Sequence, residues 1–136
     1  VLFERLWADP TLEFVPVTRE GEAFAVASGL YLGGRSPAVI MQNTGFLETG
    51  DAFRGTAHNM GIPLVVLLGY RGYQSMRTGD SVDTAASFLE STLKAWNVPY
   101  SIMVGDERAA EHLAAAFHRA RQTSLPTAVI LAAQTV

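Results

Sequence analysis

Two carboxylates, Glu20 and Glu22, stand in Thr18-Arg19-Glu20-Gly21-Glu22, where an apolar run gives way to a helical period. Carboxylates at such junctions can do acid–base work. Either one is also explained by the backbone dipole, which favours negative charge in a first helical turn. Residue type and spacing do not separate the two.

Other candidates for chemistry fail on their own terms. Gly45 and Gly50 have the spacing of a phosphate loop, but Asp51 and Ala52 replace the Lys and Ser or Thr that would hold phosphates and magnesium. The dinucleotide pattern Gly-x-Gly-x-x-Gly is absent, and Gly33-Gly34 reads as a helix stop. His58, His112 and His118 lack the i, i+4 spacing of a helical metal site, so no metal ligands are assigned. His112 and His118 are expected on the solvated side of a helix. Ser28 and Ser36 lack the nucleophile-elbow context. With no cysteine, thiolate catalysis and disulfides are excluded.

The elements that position these residues follow from the hydrophobic pattern. Apolar runs at Glu13–Val17, Ala38–Gln42, Leu64–Leu68, Tyr100–Val104 and Thr127–Ala132 do not alternate cleanly with polar residues. That is the pattern of strands buried on both faces. Helical periods cover Glu20–Leu32, Glu48–Met60, Thr84–Trp96 and Asp106–Thr123, the last with Asp106 as its N-cap. Leu2 to Trp7 reads as the end of a further helix. The alternation predicts an α/β fold of three layers, α/β/α, around a mainly parallel sheet. Ligands in such folds sit beyond the carboxyl ends of the strands, here near 18–21, 42–50, 69–83 and 105–107.

The chain has 136 residues, 49% hydrophobic and 17% charged, with a net charge of −3. This fits one domain. The scattered Lys and Arg residues argue against a nucleic-acid partner, and no apolar run approaches membrane-spanning length. The expected compartment is the cytoplasm.

Val17-Thr18-Arg19-Glu20-Gly21-Glu22-Ala23, with Gly29 nine residues beyond Glu20, resembles the pyrimidine-binding domain of thiamine-diphosphate enzymes. Met41-Gln42-Asn43-Thr44-Gly45, the run Gly61 to Leu68, and Gly69-Tyr70-Arg71-Gly72 extend the likeness. Together they look most like the subfamily of sulfopyruvate decarboxylase alpha subunits and phosphonopyruvate decarboxylase. The resemblance implies that Glu20, rather than Glu22, hydrogen-bonds a ring nitrogen of the aminopyrimidine and favours its imino tautomer. That role calls for a carboxylate in a fairly dry pocket. It further implies that Asn43, Thr44 and Gly45 pack beside the pyrimidine. Arg71 or Arg77, in a loop from Tyr70 to Asp83, would meet the sulfonate or phosphonate of a 2-oxo acid.

The family's Gly-Asp-Gly signature is missing, since Gly79-Asp80-Ser81 and Gly105-Asp106-Glu107 begin like it and then depart. The expectation is therefore a single pyrimidine-binding domain over 1–136, lacking its first strand and helix and its diphosphate-binding domain. A beta subunit or a C-terminal domain would hold the diphosphate and Mg2+, in a homodimer or hetero-oligomer. The alternatives are a noncatalytic binding or assembly module of the same fold, and another thiamine-diphosphate reaction such as carboligation.

Overall fold

A computed structural model describes residues 2–80 and 83–132. Ser81 and Val82, within the expected substrate loop, lie outside that range.

Helix α1 (Leu2–Ala8) and an irregular stretch lead into α2 (Glu20–Leu32), whose bounds match the sequence expectation. Gly34, at φ 87°, lets the chain turn back so that Arg35 N–H reaches the Leu30 carbonyl. Strand β1 (Ala38–Gln42) follows, then α3 (Asn43–Glu48), the short turn α4 (Gly50–Ala52) and a π-helical stretch, Phe53–His58. Next come β2 (Val65–Gly69), α5 (Tyr73–Thr78), α6 (Thr84–Ala95), β3 (Tyr100–Met103), α7 (Ala109–Thr123) and β4 (Thr127–Leu131).

The four strands pair in parallel in the order β1-β2-β4-β3. Alternate residues of each strand face opposite layers. Val39, Met41, Val66, Leu68, Ala128 and Ile130 pack with Phe24, Phe46, Phe53, Leu89 and Leu93. Val65, Leu67, Val129 and Leu131 pack against α7 through Ala116, Phe117 and Ala120. This is the expected three-layer arrangement.

One predicted strand is not in the sheet. Glu13–Val17 runs without ladder partners, with Glu13, Val15 and Pro16 exposed. Proline has no N–H to give a ladder, and among the described residues β1 has one neighbour, β2. Helix boundaries also moved. The predicted Glu48–Met60 helix starts earlier, at the end of β1, and in its first turn the Asn43 side-chain oxygen accepts the Thr44 N–H at 3.0 Å. Asp106 is not the N-cap of α7; Arg108 occupies that position, and the Asp106 carbonyl accepts the Ala109 N–H instead. On α7 His112, expected on the solvated side, is half-buried, its Nδ1 3.1 Å from Ser101 Oγ, while Ala110 is exposed. On α6 the buried stripe is Ala86, Leu89 and Leu93. Helix α5 lies within the 70–83 segment expected to be loop, and it begins after Gly72 at φ 83°. A side chain at Gly72 would stand 2.8 Å from Asp83 Cβ.

Three phenylalanines fix α2 against α3. Phe24, Phe46 and Phe53 meet edge to face at 5.2 to 6.4 Å, and Trp96 stacks on Phe53 at 5.5 Å. All three phenylalanines are fully buried or nearly so, each contributing about 2–3 kcal/mol of apolar burial. That packing sets where the N-terminus of α2 sits above α3.

Candidate active site

Glu20 is the first residue of α2, and its side chain lies on Gly45 of α3. A methyl group at Gly45 would stand 2.6 Å from Glu20 Oε1 and 2.7 Å from Cδ, and closer still to Cγ. The missing Cβ is therefore the space in which the Glu20 side chain rests. Among the described residues the Glu20 carboxylate accepts no hydrogen bond. Glu22 differs. Its Oε2 accepts from the Thr18 backbone N–H at 3.2 Å and from Thr18 Oγ1 at 3.3 Å, tying down the chain entering α2. The neighbouring Arg19 is paired with Glu48 at 2.7 Å, both groups exposed. The structure thus gives Glu22 a structural task and leaves Glu20 without one. Glu20 is exposed in this chain by itself, so the dry surroundings expected for it are not supplied by the described residues.

Asn43 is fully buried at the junction of β1 and α3. Its Nδ2 donates to the Arg71 carbonyl at 3.0 Å, linking the turn after β1 to the turn after β2. Thr44 is exposed and Gly45 buried one turn below Glu48. Asn43, Thr44, Gly45 and Glu20 are thereby brought to the carboxyl end of β1.

The two candidate arginines part company. Arg71 lines a cleft of about 580 Å³ over the ends of β1, β2 and β4. Ile40, Met41 and Leu131 supply apolar lining, while Gln42 and Gln74 supply amides. Its nearest charge partner is Asp83, with Arg71 Nε 3.7 Å from Oδ2, and its side chain is 67% exposed, so the guanidinium can still receive an anion. Arg77 is held elsewhere. It donates to the Tyr73 hydroxyl at 3.0 Å and its guanidinium lies 5.6 Å from the Tyr73 ring centre. A second hollow, about 550 Å³, lies among Thr18, Glu22, Glu48 and Asp51, whose carboxylates do not suit an anionic ligand.

A further polar group lies outside the candidates named from the sequence. Glu90 of α6 accepts from the Tyr70 hydroxyl at 3.1 Å and from the Tyr100 hydroxyl at 2.7 Å. Partial burial, then the bond to Glu90 and its charge, push Tyr100 up to about 12. The same causes raise Tyr70 further. The signal was available in the pattern: Glu90 stands four residues after Ala86 and three before Leu93, at the margin of the buried stripe of α6.

No helix among the described residues is long and apolar enough to cross a membrane. No protein-family model matches the chain. Over 133 residues it is 27% identical to sulfopyruvate decarboxylase subunit alpha of Methanothermobacter thermautotrophicus, covering 96% of this chain and 78% of that one. It is 32% identical over 71 residues to the corresponding subunit of Methanocaldococcus jannaschii, covering 52% of this chain and 42% of the relative. Phosphonopyruvate decarboxylase of Streptomyces viridochromogenes is 39% identical over 71 residues, 52% of this chain but 18% of that protein. The chain is a homologue of sulfopyruvate decarboxylase alpha subunits and phosphonopyruvate decarboxylases.

Proposed function

We propose that this chain is the pyrimidine-binding subunit of a thiamine-diphosphate-dependent carboxy-lyase acting on a 2-oxo acid that bears a sulfonate or phosphonate. The observation that carries the reading is the Glu20 carboxylate seated over Gly45 with no hydrogen-bond partner among the described residues. That arrangement fits the aminopyrimidine end of the cofactor, since a carboxylate with spare acceptors stands beside a backbone without a side chain.

When bound, the cofactor supplies the electron sink for decarboxylation. Glu20 would share a proton with a ring nitrogen of the aminopyrimidine, and the buried Asn43 with Thr44 and Gly45 would form the wall beside it. Arg71, on the cleft, takes the sulfonate or phosphonate; its planar donor fork suits either oxyanion. Arg77, which donates to the Tyr73 hydroxyl with its guanidinium near that ring, is assigned to the loop rather than to the substrate. The diphosphate and Mg2+ fall to a partner subunit or further domain, because this chain has no Gly-Asp-Gly signature. That partner also covers Glu20, and the assembly works in the cytoplasm.

The test is Glu20→Gln in the complex reconstituted with the diphosphate-binding partner, thiamine diphosphate and Mg2+. Glutamine keeps the shape and loses the proton acceptor. Carbon dioxide release should fall by about 10²–10⁴-fold, the usual weight of a positioned acid–base group. Full turnover in the variant would sink the assigned role. Absence of turnover with any partner would favour a noncatalytic module of the same fold.

A further inference from the structure

We propose that Glu90 is a positioning residue, which through Tyr70 fixes the turn that presents Arg71 on the cleft. The functional meaning of that position rests on the reading of the cleft as the oxyanion site.

The turn 69–72 is tied at three points. The Tyr70 backbone N–H donates to the Leu131 carbonyl at 2.9 Å, fastening it to β4. The Arg71 carbonyl accepts from Asn43 Nδ2 at 3.0 Å, fastening it to the start of α3. The third tie is the side chain of Tyr70, whose ring lies 4.9 Å from that of Tyr73 and whose hydroxyl reaches Glu90 Oε1 at 3.1 Å. The Ala86 carbonyl is also within 3.2 Å of this hydroxyl. A phenol has one proton to give, and an ionised carboxylate is the stronger acceptor.

A carboxylate at the edge of an apolar helix stripe costs stability unless its oxygens are satisfied. Both oxygens of Glu90 are satisfied, one by the hydroxyl of Tyr70 just after β2 and the other by that of Tyr100 at the start of β3. Glutamine could not replace it symmetrically, since its amide nitrogen would face one hydroxyl with a donor. The Tyr100 arm holds Glu90; the Tyr70 arm sets the turn. Removing the second should move Arg71 and Asn43, while removing the first should cost only stability.

The experiment uses the isotopically labelled chain. NMR follows the Asn43 side-chain amide and Arg71 Nε–H, thermal unfolding gives the melting temperature, and sulfoacetate is titrated as the anionic probe. Glu90→Gln and Tyr70→Phe should each shift the Asn43 amide signals and weaken sulfoacetate binding at least fivefold. Tyr100→Phe should lower the melting temperature by a comparable amount, with affinity and Asn43 signals essentially those of the wild type. If Glu90→Gln and Tyr70→Phe lower the melting temperature while leaving Asn43 and the affinity untouched, the role is merely structural and the proposal fails. Should Glu90→Gln not fold, Tyr70→Phe decides alone, because it keeps the ring on Tyr73. A wild-type chain that binds no sulfoacetate would overturn the oxyanion reading of the cleft. The Asn43 signals would still decide the positioning claim.

Discussion

Gly45→Ala separates the proposed site from the stability of the fold. Alanine at a helical position gains about 0.5–1 kcal/mol over glycine. The new methyl group would stand 2.6 to 2.7 Å from the Glu20 carboxyl atoms, where carbon contacts normally rest near about 3.5–4.0 Å. The Glu20 carboxyl must then withdraw by about 1 Å, which an exposed side chain can do by changing rotamer at roughly 0.5–1.5 kcal/mol. The two terms nearly cancel, so the melting temperature should move by less than about 4 °C. Catalysis does not share that tolerance: a misplacement of about 1 Å can cost about 10²-fold. The assay is carbon dioxide release by the reconstituted complex, beside thermal unfolding of the chain alone. In a Glu20→Ala background the same glycine substitution should stabilise by its full helical gain. A Gly45→Ala complex retaining turnover within about threefold of wild type would refute the placement of Glu20 at the reacting centre.

Arg71→Ala should raise KM for a sulfonated or phosphonated substrate by about 10–100-fold, the equivalent of one charge-assisted hydrogen-bonding group, with kcat little changed; Arg77→Ala should leave KM within about threefold. Steady-state kinetics on both variants checks the division. Asn43→Ala deletes the buried donor to the Arg71 carbonyl and should cost about 1–3 kcal/mol, read by urea unfolding. Tyr100 ionises near pH 10 when unfolded and near 12 when folded. Between those values the folded chain keeps a proton that the unfolded chain has lost, so this contribution is complete below about pH 10 and fades as pH rises through the folded value. Tyr100→Phe should flatten the alkaline decline in stability, and an undiminished slope would contradict the Glu90 clamp.

How much of this was legible depended on whether local signals and tertiary demands agreed. Helix α2 was readable to its ends because Glu20 and Glu22 mark its start and Gly34 its stop, and its small residues fit close packing. The strands β1, β2 and β4 were legible as short runs rich in Val, Ile and Leu, and β3 as part of the apolar run Tyr100–Val104. Glu13–Val17 is also a short apolar run, but it carries Pro16, and a strand exists only where a neighbour offers its ladder, which no segment shows by itself. At the earlier start of α3 the Asn43 side chain meets the carbonyl of a residue 28 positions away, a contact no local pattern announces. Residue types placed Glu20 and Glu22 on equal terms; the difference between them is a Thr18 bond and a glycine across the site, both invisible in spacing. Arg71 and Arg77 were likewise equivalent until Tyr73 was seen to hold one of them. Glu90 is marked only weakly, by its place at the margin of the α6 stripe, where a single acid usually faces water.

The position of β1 has a consequence for how the site opens. β4 and β2 are interior strands, whereas β1 has a single described neighbour. Amide hydrogen exchange should therefore be slowest in Val65–Gly69 and Thr127–Leu131 and faster in Ala38–Gln42, since edge elements open at lower free energy than central ones. Asn43 to Gly45 continue the labile strand, and Arg71 continues the persistent one. The Asn43 amide thus moors the part of the site that frays first to the part that opens last.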